Sequence, residues 1–291
     1  MDEDVVADFT GRFVANPRDG GVPTTGRIIL TDRRLVAATT DDRLTIALST
    51  VLDVNVGAVP QHVADFFDDT VTVGYRADGA VNSIVIERDA ETISTFVALL
   101  FRCLLKGLSV AVKHPARVGG RRLDALLERG TVRLPSRAIE ITGTSSPCRI
   151  DVANVMNIDR KATLRDGADQ TTLSVTHVDP ASGQTTTTEL SPATKREVNL
   201  LGRYLRLEFD DIARDVADLE LTDPERRVLV ALHATGGDID FGNLLDGDPT
   251  YVTNVLNAVS RKELIVEGVE GISLTAKGRI VVSQQLEQVN V

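Results

Sequence analysis

Apolar residues recur along the chain with two periods, and the points where one period gives way to the other divide it. Leu44, Ile46 and Leu48 alternate with polar residues, as do Val71 and Val73, the period-two pattern of half-buried antiparallel strands. Thr40-Asp-Asp42 and Ala77-Asp-Gly79 break these runs with turn-forming residues, so the strands join as a meander. From Ala90 the period changes: Ile93, Val97, Leu100, Phe101 and Leu104 recur at spacings of three and four and line one stripe of a helix. The same succession then repeats. Gly26-Arg-Ile-Ile-Leu30 aligns with Gly130-Thr-Val-Arg-Leu134 at an offset of 104 residues, which also pairs Arg33 with Arg137, Leu35 with Ile139, Ile46 with Ile150, Leu48 with Val152, Val51 with Val155 and Val54 with Ile158. At an offset two residues shorter, Val71-Thr-Val73 matches Leu173-Ser-Val175 and Ile84-Val-Ile-Glu87 matches Thr186-Thr-Thr-Glu189. A second helix follows near Pro192, with Val198, Leu201 and Leu205 as its stripe. Two copies of one module occupy most of the chain.

A small, strongly bent sheet closed by one C-terminal amphipathic helix is the plan of pleckstrin-homology-like domains. The run Gly26-Arg-Ile-Ile-Leu-Thr-Asp-Arg-Arg-Leu-Val36, followed by Leu48-Ser-Thr-Val-Leu-Asp-Val54, resembles the core hairpins of the GRAM-type branch of that fold. Such a fold invites a lipid-headgroup reading, which needs a basic cluster near the first hairpin. Arg33, Arg34 and Arg43 stand there, but Asp32, Asp41 and Asp42 cancel their charge, so ordinary solvated hairpin faces are expected.

Beyond an acidic helical connector, Asp210 to Asp218, the pattern changes again. Thr222-x-x-Glu225 with Pro224 is a capping-box start for a helix through Leu232, stopped by Gly236-Gly237. A short helix around Phe241 to Leu245 and a third opened by Asp248-Pro249 follow, then two short strands about the tight Glu267-Gly-Val-Glu-Gly271 and a closing helix. This order resembles a winged helix-turn-helix, and Leu274-Thr-Ala-Lys-Gly-Arg279 resembles the ending of many archaeal regulators. The expected class is α+β: pleckstrin-homology-like modules over 1–107 and 108–209, a connector over 210–220 and a winged helix over 221–291. The third helix carries Tyr251, Asn254, Asn257, Arg261 and Lys262, residue types that could meet bases or a protein partner. Residues 221–291 hold six basic and ten acidic side chains, with Glu267 and Glu270 in the wing where phosphates would pass. That placement favours a protein-binding face of Tyr251, Asn254, Arg261 and Lys262; a DNA-binding regulator with N-terminal sensing modules is the alternative.

Composition sharpens this. The 291 residues carry 42 acidic and 32 basic side chains, a net charge of −10, with no Trp and 4% aromatic residues. Strong nonspecific nucleic-acid binding and an aromatic base-stacking platform are therefore both disfavoured. Asp outnumbers Glu 28 to 14 and Arg outnumbers Lys 26 to 6. Short hydrated carboxylates and few apolar lysine stems suit a surface that stays hydrated in high salt. The acidic start Met1-Asp2-Glu3-Asp4 and a longest apolar run of only Phe96 to Phe101 fit neither a secretory signal nor a membrane span, so a cytoplasmic protein is expected. Two cysteines make no disulfide framework; Cys103 and Cys148 read as small core residues.

Motifs that carry chemistry are missing from the pattern. His62, His114, His177 and His233 are scattered and read as surface or boundary residues. Gly20-Gly21 and Gly119-Gly120 lead into no phosphate-binding Lys-Ser/Thr, and Thr142-Gly-Thr-Ser-Ser-Pro147 fits a hairpin turn better than a nucleophile. Adjacent carboxylates such as Asp41-Asp42, Asp68-Asp69 and Asp210-Asp211 are poorly placed for acid–base work. Neither catalysis nor a cofactor nor a metal is indicated.

Two such modules, an acidic connector and a C-terminal winged helix in an Asp-rich, Lys-poor chain resemble the archaeal taxis adaptor family CheF of halophilic archaea. The resemblance is carried by Gly26 to Val36, Ala47 to Val54, Gly130 to Ile139 and Leu221 to Val282. It implies a non-enzymatic bridge between chemotaxis signalling proteins, the phosphorylated response regulator CheY with CheD and CheC, and the archaellum accessory proteins FlaC, FlaD and FlaE.

Overall fold

In the computed structural model the first copy runs β1 (Val5–Ala15), β2 (Thr24–Thr31), β3 (Arg34–Ala38), β4 (Arg43–Ala47), β5 (Val51–Val56), β6 (Thr70–Ala77), β7 (Ala80–Glu87) and helix α1 (Ala90–Leu104). The second runs β8 (Ser109–Val118), the two-residue β9 (Arg121–Arg122), β10 (Leu127–Arg133), β11 (Ala138–Thr142), β12 (Cys148–Asp151), β13 (Val155–Arg165), β14 (Ala168–Val178), β15 (Thr185–Pro192) and α2 (Lys195–Ala217). Then come α3 (Asp223–Thr235), α4 (Phe241–Leu245), α5 (Pro249–Arg261), the hairpin β16 (Ile265–Gly268) and β17 (Gly271–Leu274), and α6 (Ala276–Val289). The class is α+β, with two large antiparallel sheets. The structure describes residues 3–17, 22–57, 69–135, 138–165, 168–179, 182–217, 219–235, 239–268 and 271–289. Gly20, Gly21, His62, Asp68, Arg137, Gly236, Gly237 and Glu270, singled out above, lie outside them.

The repeat is visible in topology. The first sheet has the order β4-β3-β2-β1-β7-β6-β5, and the second has β12-β11-β10-β8-β15-β14-β13 with β9 attached to β8, so each strand finds its counterpart in the same place. The 3-10 turns Leu48–Thr50 and Val152–Asn154 lie 104 residues apart, and each is followed by a β-bulge, between Val51 and Asp53 and between Val155 and Asn157. One detail of the alignment is corrected. Val73 pairs with Ile84 and Val175 with Thr188, so Ile84 corresponds to Thr188, not Thr186. The two residues missing before β14 are restored in the longer β14–β15 connection.

Gly26 and Gly130 repeat because the strands leave no room for a side chain there. A Cβ on Gly26 would sit 2.8 Å from the Phe13 ring and collide with the Ala38 carbonyl; one on Gly130 would sit 2.7 Å from Ile141 Cγ2.

By contacts the chain forms two units, one of Met1–Ser109, Thr131–Leu134 and Pro192–Tyr204, the other of Val110–Gly130, Pro135–Ser191 and Leu205–Val291. In the first, Asp89 caps α1 by accepting from the Thr92 N–H at 3.0 Å, and Ile93, Phe96, Val97, Leu100 and Phe101 are buried. Phe96 meets the β1 residue Phe9 edge to face at 5.3 Å, and Phe101 meets Tyr204 of α2 at 5.7 Å. Arg196 of α2 donates to the carbonyls of Leu48 (2.8 Å) and Val51 (2.5 Å), the former also accepting from the Val51 N–H. In the second unit Val152, Val216, Val228, Leu229, Leu232, Val255, Val259, Leu264 and Val282 share one core. No helix among the described residues is long and apolar enough to cross a membrane.

Candidate partner-binding face

Asp248 starts α5 by accepting from the N–H groups of Thr250 and Tyr251 at 2.8 and 2.9 Å, with Pro249 in the first turn. The apolar stripe Val252, Val255, Leu256 and Val259 turns inward. Its opposite stripe, Thr250, Thr253, Asn254, Asn257, Ser260 and Arg261, is exposed, with Tyr251 at its flank 41% exposed. The Tyr251 ring lies on the backbone of Gly247, where any Cβ would strike it. Arg261 is the single charged residue of this 13-residue helix, its Nε donating to the Asn257 carbonyl at 3.3 Å. A hydroxyl- and amide-rich helix face with one exposed aromatic ring thus stands in a strongly acidic chain.

Lys262, expected on this face, is used inside. Its ammonium donates to both carboxylate oxygens of Glu225 at 2.8 Å and to the Glu220 carbonyl at 2.7 Å, which occupies all three donors. Glu225 is 3% exposed. Burial raises its pKa, but the ammonium and the N–H and hydroxyl of Thr222 outweigh that and hold the carboxyl below its ordinary range. The capping-box glutamate is therefore also half of a partly buried ion pair. Tyr251, Asn254 and Arg261 stay together on the exposed face; Thr250, Thr253 and Asn257, one helical turn away, complete it and follow from the same three-and-four spacing. With Lys262 engaged and Glu267 exposed on the hairpin, Arg261 is the one cation of α5 left to meet a phosphate.

Elsewhere the candidate chemistry resolves into structure. The Thr142 to Pro147 segment is a turn fastened by Glu128, which accepts from Ser145 N–H at 2.7 Å and from its hydroxyl at 2.5 Å. Arg34, one of the candidate headgroup cations, is paired with Glu3 at 2.6 Å. Cys103 and Cys148 are half-buried, and burial pushes the Cys148 thiol up to about 11. His233 is exposed, but the reading of His177 as a surface or boundary residue is overturned: it is 4% exposed. It stacks on His114 with centroids 6.2 Å apart, and both rings share the Thr188 hydroxyl, at 2.8 Å from His114 Nδ1 and 3.2 Å from His177 Nε2. Burial and then the neighbouring imidazole push His177 down to about 4; burial lowers His114 as well. Among the described residues no three His, Cys, Asp or Glu side chains are grouped to hold a metal ion.

Comparison with known proteins places this architecture. Residues 5–211 match the family described as archaeal chemotaxis signal transduction system protein F, CheF. The chain belongs to the CheF family. Taxis protein CheF2 of Halobacterium salinarum is 37% identical over 291 residues, covering all of both chains. Taxis protein CheF1 of the same organism is 22% identical over 293 residues, covering 97% of each. Membership assigns this CheF protein a part in archaeal chemotaxis signalling.

Proposed function

We propose that this CheF protein is a non-enzymatic adaptor that joins chemotaxis signalling proteins of the CheY, CheD and CheC kinds to archaellum accessory proteins of the FlaC, FlaD and FlaE kinds. On this reading the two repeated sheets are pleckstrin-homology-like scaffolds and residues 221–291 a winged helix turned to protein binding. The observation that carries it is the exposed stripe of α5: Tyr251, Asn254 and Asn257 form a surface able to exchange hydrogen bonds, with Arg261 as the single cation of the helix. Tyr, Asn and Ser surfaces of this sort bind protein with little loss of side-chain entropy, and an exposed tyrosine ring is a common hot spot. The experiment is a pull-down of the full chain in molar KCl against each of the six proteins. Retention of at least one signalling and one archaellum protein is expected, with Tyr251→Ala plus Asn254→Arg weakening one of these contacts at least tenfold. Retention of none, together with a salt-sensitive mobility shift on promoter DNA, would refute the proposal.

A further inference from the structure

The first unit carries a second surface of different chemistry. Thr92, Thr95, Leu99 and Cys103 recur on α1 at three and four, a stripe distinct from the buried one, and Lys106 continues the spacing just past the helix end. Beside β1 this stripe lines two adjoining clefts that share Val6: one of about 530 Å³ with Phe9, Phe96 and Leu99, the other of about 500 Å³ with Cys103, Thr131 and Leu134. Together they make one groove along α1, roughly 18 Å long from Thr92 to Leu104 at 1.5 Å per residue.

Its ends differ in charge. Glu91 stands at the α1 N-terminal end, where Asp8 is already paired with Arg27. Arg102, Lys106 and Arg133 stand at the other, all exposed and forming no ion pair among the described residues. Asp4 and Asp32 share that end, and Asp32 has a buried carboxylate oxygen, Oδ1, without a hydrogen-bond partner. The geometry points to a partner helix lying antiparallel to α1. Its apolar face would cover Phe9 and Leu99, and its N-terminal end would reach the Arg102, Lys106 and Arg133 corner. Helices favour acidic side chains in their first turn, where their N–H groups are also free. Those acids would meet the three cations, and a free N–H would satisfy Asp32. The occupant is thus an amphipathic protein helix of about twelve residues, acid-rich at its N-terminus, on a surface separate from α5.

The test uses full-length protein and two synthetic twelve-residue helical peptides of equal composition, one with acidic residues in the first half and basic in the second, the other reversed. Binding is read by fluorescence anisotropy and by slowed alkylation of Cys103 in a Cys148→Ser background. The acid-first peptide should bind at least tenfold tighter and protect Cys103, and Arg102→Glu with Lys106→Glu should invert the preference while the thermal transition stays unchanged. Equal binding of the two peptides, no binding of either, or indifference to the charge reversal overturns the assignment. Concentration-dependent dimerisation abolished by Leu99→Lys would also overturn it, by making a second copy of the chain the occupant. None of these outcomes depends on whether the α5 face binds.

Discussion

Lowering the pH should destabilise this protein through His177 before its carboxylates are involved. In the folded state His177 titrates near 4 instead of its ordinary 6.5, because protonation would place a cation in a buried site against the His114 ring. The unfolded chain therefore takes up a proton between those values that the folded chain refuses. The stabilisation is present in full above pH 6.5 and is lost as the pH falls toward 4, with a limiting slope of about 1.4 kcal/mol per pH unit and a total of about 3 kcal/mol. His114 is lowered too and acts in the same direction. Glu3, Asp89, Glu128 and Glu225 are all lowered, and their contributions fall away only as the pH drops through the carboxylate range, so pH 6.5 to 5 isolates the imidazoles. Denaturant unfolding measured from pH 8 to 4, for the native chain and for His177→Gln, reads the difference directly. The native curve should fall more steeply by roughly 1 kcal/mol per unit below pH 6.5, and the His177 ring carbons should show no NMR titration above pH 5. Parallel curves, or a His177 titration at 6.5, would sink the reasoning.

Three further outcomes follow from contacts already described. Lys262→Met leaves the buried Glu225 carboxylate without its cation, held only by Thr222, and should cost about 1–3 kcal/mol in denaturant unfolding, whereas Lys262→Met with Glu225→Gln should recover much of it; equal losses would place the pair in solvent. Arg196→Ala removes a donor from the Val51 carbonyl and the second donor from the Leu48 carbonyl and should cost about 1–2 kcal/mol, and Arg196→Lys, with one ammonium for two acceptors, should restore only part of that. Gly26→Ala and Gly130→Ala should each cost roughly 1–3 kcal/mol by forcing strands apart, while Gly57→Ala, where nothing lies within 4 Å of the new methyl but the backbone has φ +68°, should lose no more than about 1 kcal/mol. Thermal unfolding of the three variants separates packing from backbone strain.

Much of the architecture could be read from spacing because the chain states it twice. An offset that persists from Gly26 to Val54 fixes strands, turn and bulge together, and the structure repeats each of them in place. Where the reading slipped, on β15, four consecutive threonines precede Glu189 and give no apolar marker to set the register. The burial of His177 was legible by period two, which the scatter of the histidines along the chain hid. Leu173, Val175 and His177 alternate on β14, and Val110, Val112 and His114 alternate on β8, so period two alone puts both imidazoles on the core face. Lys262 was not legible. It sits one residue past the α5 terminus, and nothing in local pattern ties it to a glutamate 37 residues earlier.

The two copies share a backbone but not an interior. At equivalent sheet positions the first copy buries Tyr75 and Ile84, where the second buries His177 and Thr188. Apolar burial tolerates small shifts, whereas two imidazoles sharing one hydroxyl require both tautomers and the hydroxyl rotor to agree, so the second interior is the more exacting of the two. The surfaces diverge as well. Net charge sets long-range attraction only across a Debye length, which shrinks to about 3 Å in molar salt. Under such conditions a total of −10 keeps the chain hydrated but selects no partner, and specificity passes to contacts at hydrogen-bond range. The two surfaces proposed for binding differ in charge: the α5 stripe is neutral but for Arg261, while Arg102, Lys106 and Arg133 near the α1 C-terminus form no ion pair among the described residues. A partner that matched the chemistry of one would gain nothing at the other, so the two proposed surfaces select different partners.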